Sequence, residues 1–291
     1  MLLLIPLGAE GRPAPRVTLA LIALNALVFA CTSRAATGKA TAQEAELERV
    51  ASWTLRLAAS EAPSLAALAR EQPSSLALLE RDRRWRQEVK SEALRERLES
   101  CLEDYRALRA RHPFHRFGFV PRDITPARLI AHQFIHADGL HLFFNLLFLW
   151  AVGGLLEVTL GAVRLLLAYL SGGAMAALAH AAGNPGSSEP AIGASGAVSA
   201  LIGLFAVLHG REPLRLALVA LAFAAPRIFV VTWPAWIFPG LWLAEQLLFV
   251  ALGSTLRIAF LAHLGGFVFG AVLALVILSP LRKKGLDDRQ A

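Results

Sequence analysis

Long uninterrupted apolar runs constrain this chain more than any other feature. They are roughly 17–25 residues long, the length that crosses a hydrocarbon core. One occupies residues 17–33, VTLALIALNALVFACTS, and others lie near 141–160, 164–182, 195–210, 234–252 and 258–278. In all, 56% of the residues are hydrophobic, more than a soluble domain of this size needs. These runs predict an all-α membrane protein with six transmembrane helices.

Charge placement supports that prediction and sets an orientation. The formal net charge is +7, from 29 Lys+Arg against 22 Asp+Glu. Many of the cations flank apolar runs: Arg12, Arg16, Arg164, Arg211, Arg215, Arg282, Lys283 and Lys284. The connection 183–192, GNPGSSEPAI, carries none. By the positive-inside rule both termini lie in the cytoplasm and the long segment after the first run lies outside. No nucleic-acid-binding motif competes for the basic charge; the lipid bilayer is the expected partner.

The domain organisation follows. Residues 1–16 are a short cytoplasmic lead, 17–33 the first transmembrane helix, 34–125 an extracytoplasmic insert, 126–280 a continuous apolar core holding helices 2–6, and 281–291 a basic cytoplasmic tail. The first run has an alternative as a cleaved signal ending at Cys31, but Phe29 fits such a site poorly. In the insert, Leu94, Leu98, Leu102, Tyr105 and Leu108 recur at helical spacing, and Pro63 and Pro73 punctuate two or three helices. This describes a solvated helical insert. Residues 214–232 are a further apolar stretch, but Pro226 and Arg227 in its middle are costly for a spanning helix. That stretch is expected to be interfacial or re-entrant. Cys31 and Cys101 have no metal-ligand spacing; a disulfide between them is open, with two unrelated free thiols the simpler reading.

Three polar constellations interrupt the apolar core. The first runs His136-Ala-Asp-Gly-Leu-His141-Leu-Phe-Phe-Asn145, with His141 and Asn145 on one helix face. Polar groups facing lipid are expensive, so that face should look into the bundle; bonding between helices is the structural alternative. The second is Gly193-Ala194-Ser195-Gly196, where a serine opens a helix whose first N–H groups are unpaired and whose dipole favours negative charge. Small-residue packing is its alternative. The third is Ala262-His263-Leu-Gly-Gly266-Phe-Val-Phe-Gly270. An imidazole within reach of a serine hydroxyl can take its proton, and Gly266 and Gly270 make a flat face for close packing. Ser195 and His263 both sit near the starts of their runs. They share a depth only if an even number of crossings separates them, which excludes a spanning 214–232.

Taken in order, His141-xxx-Asn145, Gly193-Ala-Ser195-Gly and Ala262-His263-xx-Gly266-xxx-Gly270 resemble the rhomboid family of intramembrane serine proteases. The likeness covers roughly residues 120–280 and includes Arg128, His136 and Glu157, the last after the Gly153-Gly154 pair. It implies a six-helix rhomboid bundle that hydrolyses transmembrane segments of membrane proteins, with no cofactor and no metal. Ser195 is then the nucleophile and His263 the general base. His141, Asn145 and the Ser195 backbone N–H form the oxyanion hole, and Arg128 and Glu157 hold the first loop. His132 and His136 are expected near a water-filled mouth. Two positions depart from the family. Ser199 stands where some members carry a tyrosine that stacks on the catalytic histidine, and Ala127 stands where the loop before Arg128 usually carries a tryptophan. The resemblance specifies no oligomeric state and no role for the insert. A catalytically inactive relative that binds transmembrane segments is the alternative, but such relatives lose the serine or the histidine. A transporter with broken helices would predict an inverted repeat, and none is visible.

Overall fold

The computed structural model describes residues 4–6, 14–36, 39–62, 75–81, 83–222, 225–252 and 259–287. Pro63, Pro73 and the last four residues of the tail lie outside them. The described chain is mostly helical and divides into two compact units, residues 1–30 with 117–291, and residues 31–116.

The larger unit begins with strand β1, Leu4–Pro6, and helix α1, Arg16–Ala36. The smaller unit contains α2, Lys39–Leu57; α3, Ser75–Arg81; α4, Trp85–Glu88; and α5, Glu92–Arg111. The short α6, Pro113–Phe117, follows. Helices α2 and α5 close on an apolar centre of Leu55, Leu76, Trp85, Leu98, Leu102 and Tyr105. The i, i+4, i+8 spacing of Leu94, Leu98 and Leu102 makes that face. Polar groups are met inside: Trp85 Nε1 donates to the Leu79 carbonyl at 3.0 Å. Arg109 donates to Glu80 at 3.1 Å and to the Tyr105 hydroxyl at 2.9 Å. Glu61 accepts from the backbone N–H groups of Lys90 and Ser91 at 2.7 and 2.8 Å, fastening the start of α5. Cys101 is buried here and Cys31 is exposed; both thiols are free. Burial pushes the Cys101 thiol up, with Arg97 opposing.

The rest of the larger unit follows in chain order. Helix α7 is Pro126–Ala131, capped by Thr125 and followed by a tight turn at His132–Phe134. Asp138 caps α8, Gly139–Phe148, by accepting from the His141 N–H at 2.8 Å. A wide π-type turn, Leu149–Gly153, leads into α9, Gly154–Leu160. Gly161, with φ +82°, turns the chain into α10, Ala162–Gly183. Then come α11, Ser195–His209; strands β2, Pro213–Ala222, and β3, Ala225–Pro234; α12, Ile237–Ala251; and α13, Phe260–Asp287.

Among the described residues, four stretches are long and apolar enough to cross a bilayer: Arg16–Ser33, Gly139–Leu160, Ala162–Gly183 and Phe260–Ile277. The helices at Ser195–His209 and Ile237–Phe249 are apolar but shorter. At about 1.5 Å per residue, α11 falls short of a core about 30 Å thick.

One expectation is corrected. The molecule is not all-α, because residues 213–234 form an antiparallel hairpin, with Leu216 opposite Val231 and Leu218 opposite Phe229. β1 adds a third strand through Leu4–Leu218 and Pro6–Leu216. Pro226 would break a helix here, and the β-branched and aromatic run Ile228–Trp233 favours strand. Leu4–Pro6, within the lead, is thus an edge strand of this sheet.

Helices α10, α11 and α13 pack through small residues. A Cβ on Gly270 would collide with the Ala200 carbonyl oxygen, one on Gly203 with the Phe267 carbonyl, and one on Gly266 with the Gly196 carbonyl. A Cβ on Gly196 would sit 2.6 Å from that of Ala176. Without a hydrophobic drive in lipid, backbone proximity of this kind holds helices together.

Candidate active site

Ser195 is the first residue of α11, so its N–H has no acceptor within the helix. The loop before it is tied down on several sides. Phe119 and Ala191 exchange two backbone hydrogen bonds at 2.8 and 2.9 Å. Gly193 N–H donates to the His132 carbonyl at 2.9 Å, and Ala194 N–H donates to His136 Nε2 at 3.4 Å. Gly193 has φ +116°, a conformation that glycine adopts without strain.

His263, in the first turn of α13, comes to Ser195 from across the bundle: its Nε2 lies 2.9 Å from Ser195 Oγ. The Gly266 and Gly270 contacts with the Gly196 and Ala200 carbonyls set this spacing, because they bring the two helix backbones together. His141 lies on the other side of the serine loop. A methyl at Gly193 would stand 2.7 Å from His141 Nε2 and 3.8 Å from Ser195 Oγ. Ala137 N–H donates to His141 Nδ1 at 3.4 Å. A neutral imidazole accepting at Nδ1 carries its proton on Nε2, the atom beside Gly193. Asn145, one turn on and buried, donates one amide N–H to the His141 carbonyl at 2.8 Å.

The remaining predicted residues make contacts of their own. Arg128 pairs with Asp123 in the loop before α7. Glu157 does not reach that loop. It accepts from Val17 N–H at 2.9 Å, Thr18 N–H at 2.8 Å and Thr18 Oγ1 at 2.8 Å, at the start of α1. A carboxylate suits the positive end of a helix. His132 and His136, expected near a water-filled mouth, are both buried: His132 Nδ1 lies 2.8 Å from the Arg128 carbonyl, and His136 Nε2 accepts from Ala194 N–H while its Nδ1 has no hydrogen-bond partner among the described residues. Burial pushes the His132 imidazole down to about 4.

Two residues near the pair carry no motif in the sequence. Gln246 of α12 is buried, and its Oε1 lies 2.7 Å from His263 Nδ1. Trp242, one turn earlier, has its ring centroid 6.1 Å from that of His263; Phe260 approaches edge-on at 6.3 Å. Ser199 is turned away to the Ser195 carbonyl, which it meets at 2.6 Å. The aromatic neighbours of the imidazole thus come from α12 and the start of α13 and not from α11. The only signal for Gln246 and Trp242 was their i, i+4 spacing on a helix whose other residues, apart from Glu245, are apolar.

The centre of the site is thus a serine and a histidine in hydrogen-bond contact among apolar helices. The Rhomboid domain model matches residues 125–280, more than half of the chain, and the chain belongs to the rhomboid family. It is similar to rhomboid protease GlpG of Haemophilus influenzae, 27% identical over 184 residues that cover 60% of this chain and 80% of the relative. It is also similar to rhomboid protease GlpG of Serratia proteamaculans, 33% identical over 152 residues, or 50% of this chain and 46% of the relative.

Proposed function

We propose that this protein is an intramembrane serine endopeptidase that cleaves transmembrane segments of other membrane proteins. The observation that carries this reading is the 2.9 Å contact between Ser195 Oγ and His263 Nε2. Ser195 Oγ attacks the scissile carbonyl carbon while its proton passes to His263 Nε2. The carbonyl oxygen takes the negative charge. In this reading its donors are the Ser195 N–H, His141 Nε2–H and the second N–H of the Asn145 amide. Losing one such donor costs about 2.7–4 kcal/mol in other proteases. His263 then gives its proton to the leaving amine as the C–N bond breaks, and water hydrolyses the acyl-enzyme by the same route in reverse.

The substrate backbone must be extended at the cut, since a helical peptide bond is shielded by its own hydrogen bonding. Small side chains are favoured there because the His141 ring crowds Gly193, within 2.7 Å of where a methyl would stand. The chain crosses the membrane six times, α11 and α12 included, with both termini in a bacterial cytoplasm and the insert outside. The hairpin at 213–234 supports this count. It returns the chain between α11 and α12 without a further helical crossing, so α11 and α13 start from the same side.

The test is labelling of the detergent-purified protein with a fluorescent serine-reactive phosphonate. Labelling is expected in the wild type and absent in Ser195→Ala and His263→Ala, with loss of cleavage of a transmembrane reporter in both. A folded wild type that neither labels nor cleaves would mean a substrate-binding relative without activity.

A further inference from the structure

The serine–histidine pair has a third hydrogen-bonded member, and it comes from a helix on which no motif lies. We propose that Gln246 is a positioning residue for His263: its amide oxygen holds the Nδ1 proton and so leaves Nε2 free to receive the proton of Ser195. This rests on the protease reading of the site.

The logic is one of tautomers. A neutral imidazole has one N–H donor and one acceptor, and the partner of one nitrogen decides the role of the other. An amide oxygen can only accept. At 2.7 Å from Gln246 Oε1, Nδ1 must therefore donate, and Nε2 is left with its lone pair toward Ser195 Oγ at 2.9 Å. The opposite tautomer would place a proton between Nε2 and the hydroxyl oxygen and disable the base. When Nε2 becomes protonated, the same amide oxygen faces the new imidazolium and stabilises it, more weakly than a carboxylate does. A neutral amide avoids burying a formal charge in an apolar helix.

Placement supports the assignment. Gln246 is only 6% exposed, on a helix whose neighbouring Leu247 and Leu248 face outward. Trp242 is four residues earlier and meets the same imidazole. One face of α12 thus presents a ring and an acceptor to His263, on the helix opposite the one where Ser199 replaces an aromatic residue. Gln246 and His263 are 17 residues apart in sequence, so their contact depends on α12 folding back beside α13.

The experiment uses the full-length protein in detergent with two variants. Gln246→Met keeps the length and removes the acceptor; Gln246→Glu keeps an acceptor oxygen. Each is read by the rate of phosphonate labelling, which needs no substrate docking, and by kcat and KM on a transmembrane reporter. Gln246→Met is expected to lower the labelling rate and kcat by roughly 10- to 100-fold with KM unchanged, a part of the roughly 10²–10⁴-fold that a positioned general base supplies. Gln246→Glu is expected to stay within a few-fold of wild type. Wild-type labelling by Gln246→Met, or equal failure of both variants in folded protein, overturns the proposal. Independently of the variants, nitrogen-15 NMR of histidine-labelled wild type, assigned with His263→Ala, should show His263 protonated at Nδ1; an Nε2–H tautomer overturns the proposal. A wild type that itself neither labels nor cleaves overturns the protease reading, whereas normal wild-type activity that Gln246→Met leaves untouched overturns only the role of Gln246.

Discussion

The two compact units solve the same problem with opposite materials. The smaller unit, residues 31–116, buries Trp85, Tyr105 and a set of leucines and, with Arg109 the buried exception among its described residues, keeps its charged residues outward or half-buried. Among its described residues only Trp53 and Leu57 are large exposed hydrophobics. The rhomboid core turns Leu27, Phe144, Leu167, Leu248, Val268 and Val276 outward and buries Asn25, Gln133, Asn145, Glu157 and Gln246. Its helices meet through glycine faces, where those of the insert meet through bulky side chains. The difference tracks the solvent. In water, burying apolar area drives assembly; in lipid it does not, and close backbone packing with internal hydrogen bonds takes over. That same interior is where a polar site survives.

This contrast predicts a graded set of responses. Gly270→Leu should do the most damage, because even a Cβ collides with the Ala200 carbonyl. The cost should exceed about 3 kcal/mol, the upper end of ordinary overpacking. Size exclusion in detergent should show a core that no longer assembles, and Ser195 labelling should vanish. A glycine face that tolerated leucine would refute the packing account. Leu98→Ala should cost about 2–5 kcal/mol, as for other leucines lost from a core. Because Leu98 belongs to the apolar centre of the insert, limited proteolysis should then cut within 39–111 while phosphonate labelling persists; loss of labelling would mean that the units depend on one another. The buried Cys101 thiol should become reactive to maleimide in the same variant.

Glu157→Ala should be milder, roughly 1–3 kcal/mol, the cost of leaving buried donors without an acceptor. It frees the Val17 and Thr18 N–H groups, so the thermal midpoint should fall and the start of α1 should gain hydrogen exchange. Least of all, Arg49→Ala should change stability by well under about 1 kcal/mol, since its pair with Glu46 is exposed on both sides. A larger effect would show that this surface does more than meet water.

Much of this was legible before any coordinates. Long apolar runs and flanking cations announced a membrane protein because bilayer thickness and surface charge act on local sequence. The motifs at His141–Asn145, Gly193–Gly196 and His263–Gly270 drew attention to Ser195 and to His263, whose Nε2 lies 2.9 Å from Ser195 Oγ, since each motif is short and sits at a helix start. The apolar stretch 214–232 was harder. Its status as a hairpin depends on cross-strand pairing and on β1, about two hundred residues away. The partners of Glu157 and His136 were equally out of reach, because those contacts cross between helices.

By itself the sequence determined the class of this protein, the helices of its core and the residues worth watching, because membrane burial, helix periodicity and turn chemistry are encoded locally. Only the tertiary structure decided that His263 meets Ser195 at hydrogen-bond distance and that Gln246 completes the contact. It also decided that α12, and not α11, supplies the indole beside the imidazole. The physical reason is that these distances depend on how closely glycine-faced helices approach one another. No stretch of chain contains that approach; it is a property of helices from distant parts of the sequence packed together.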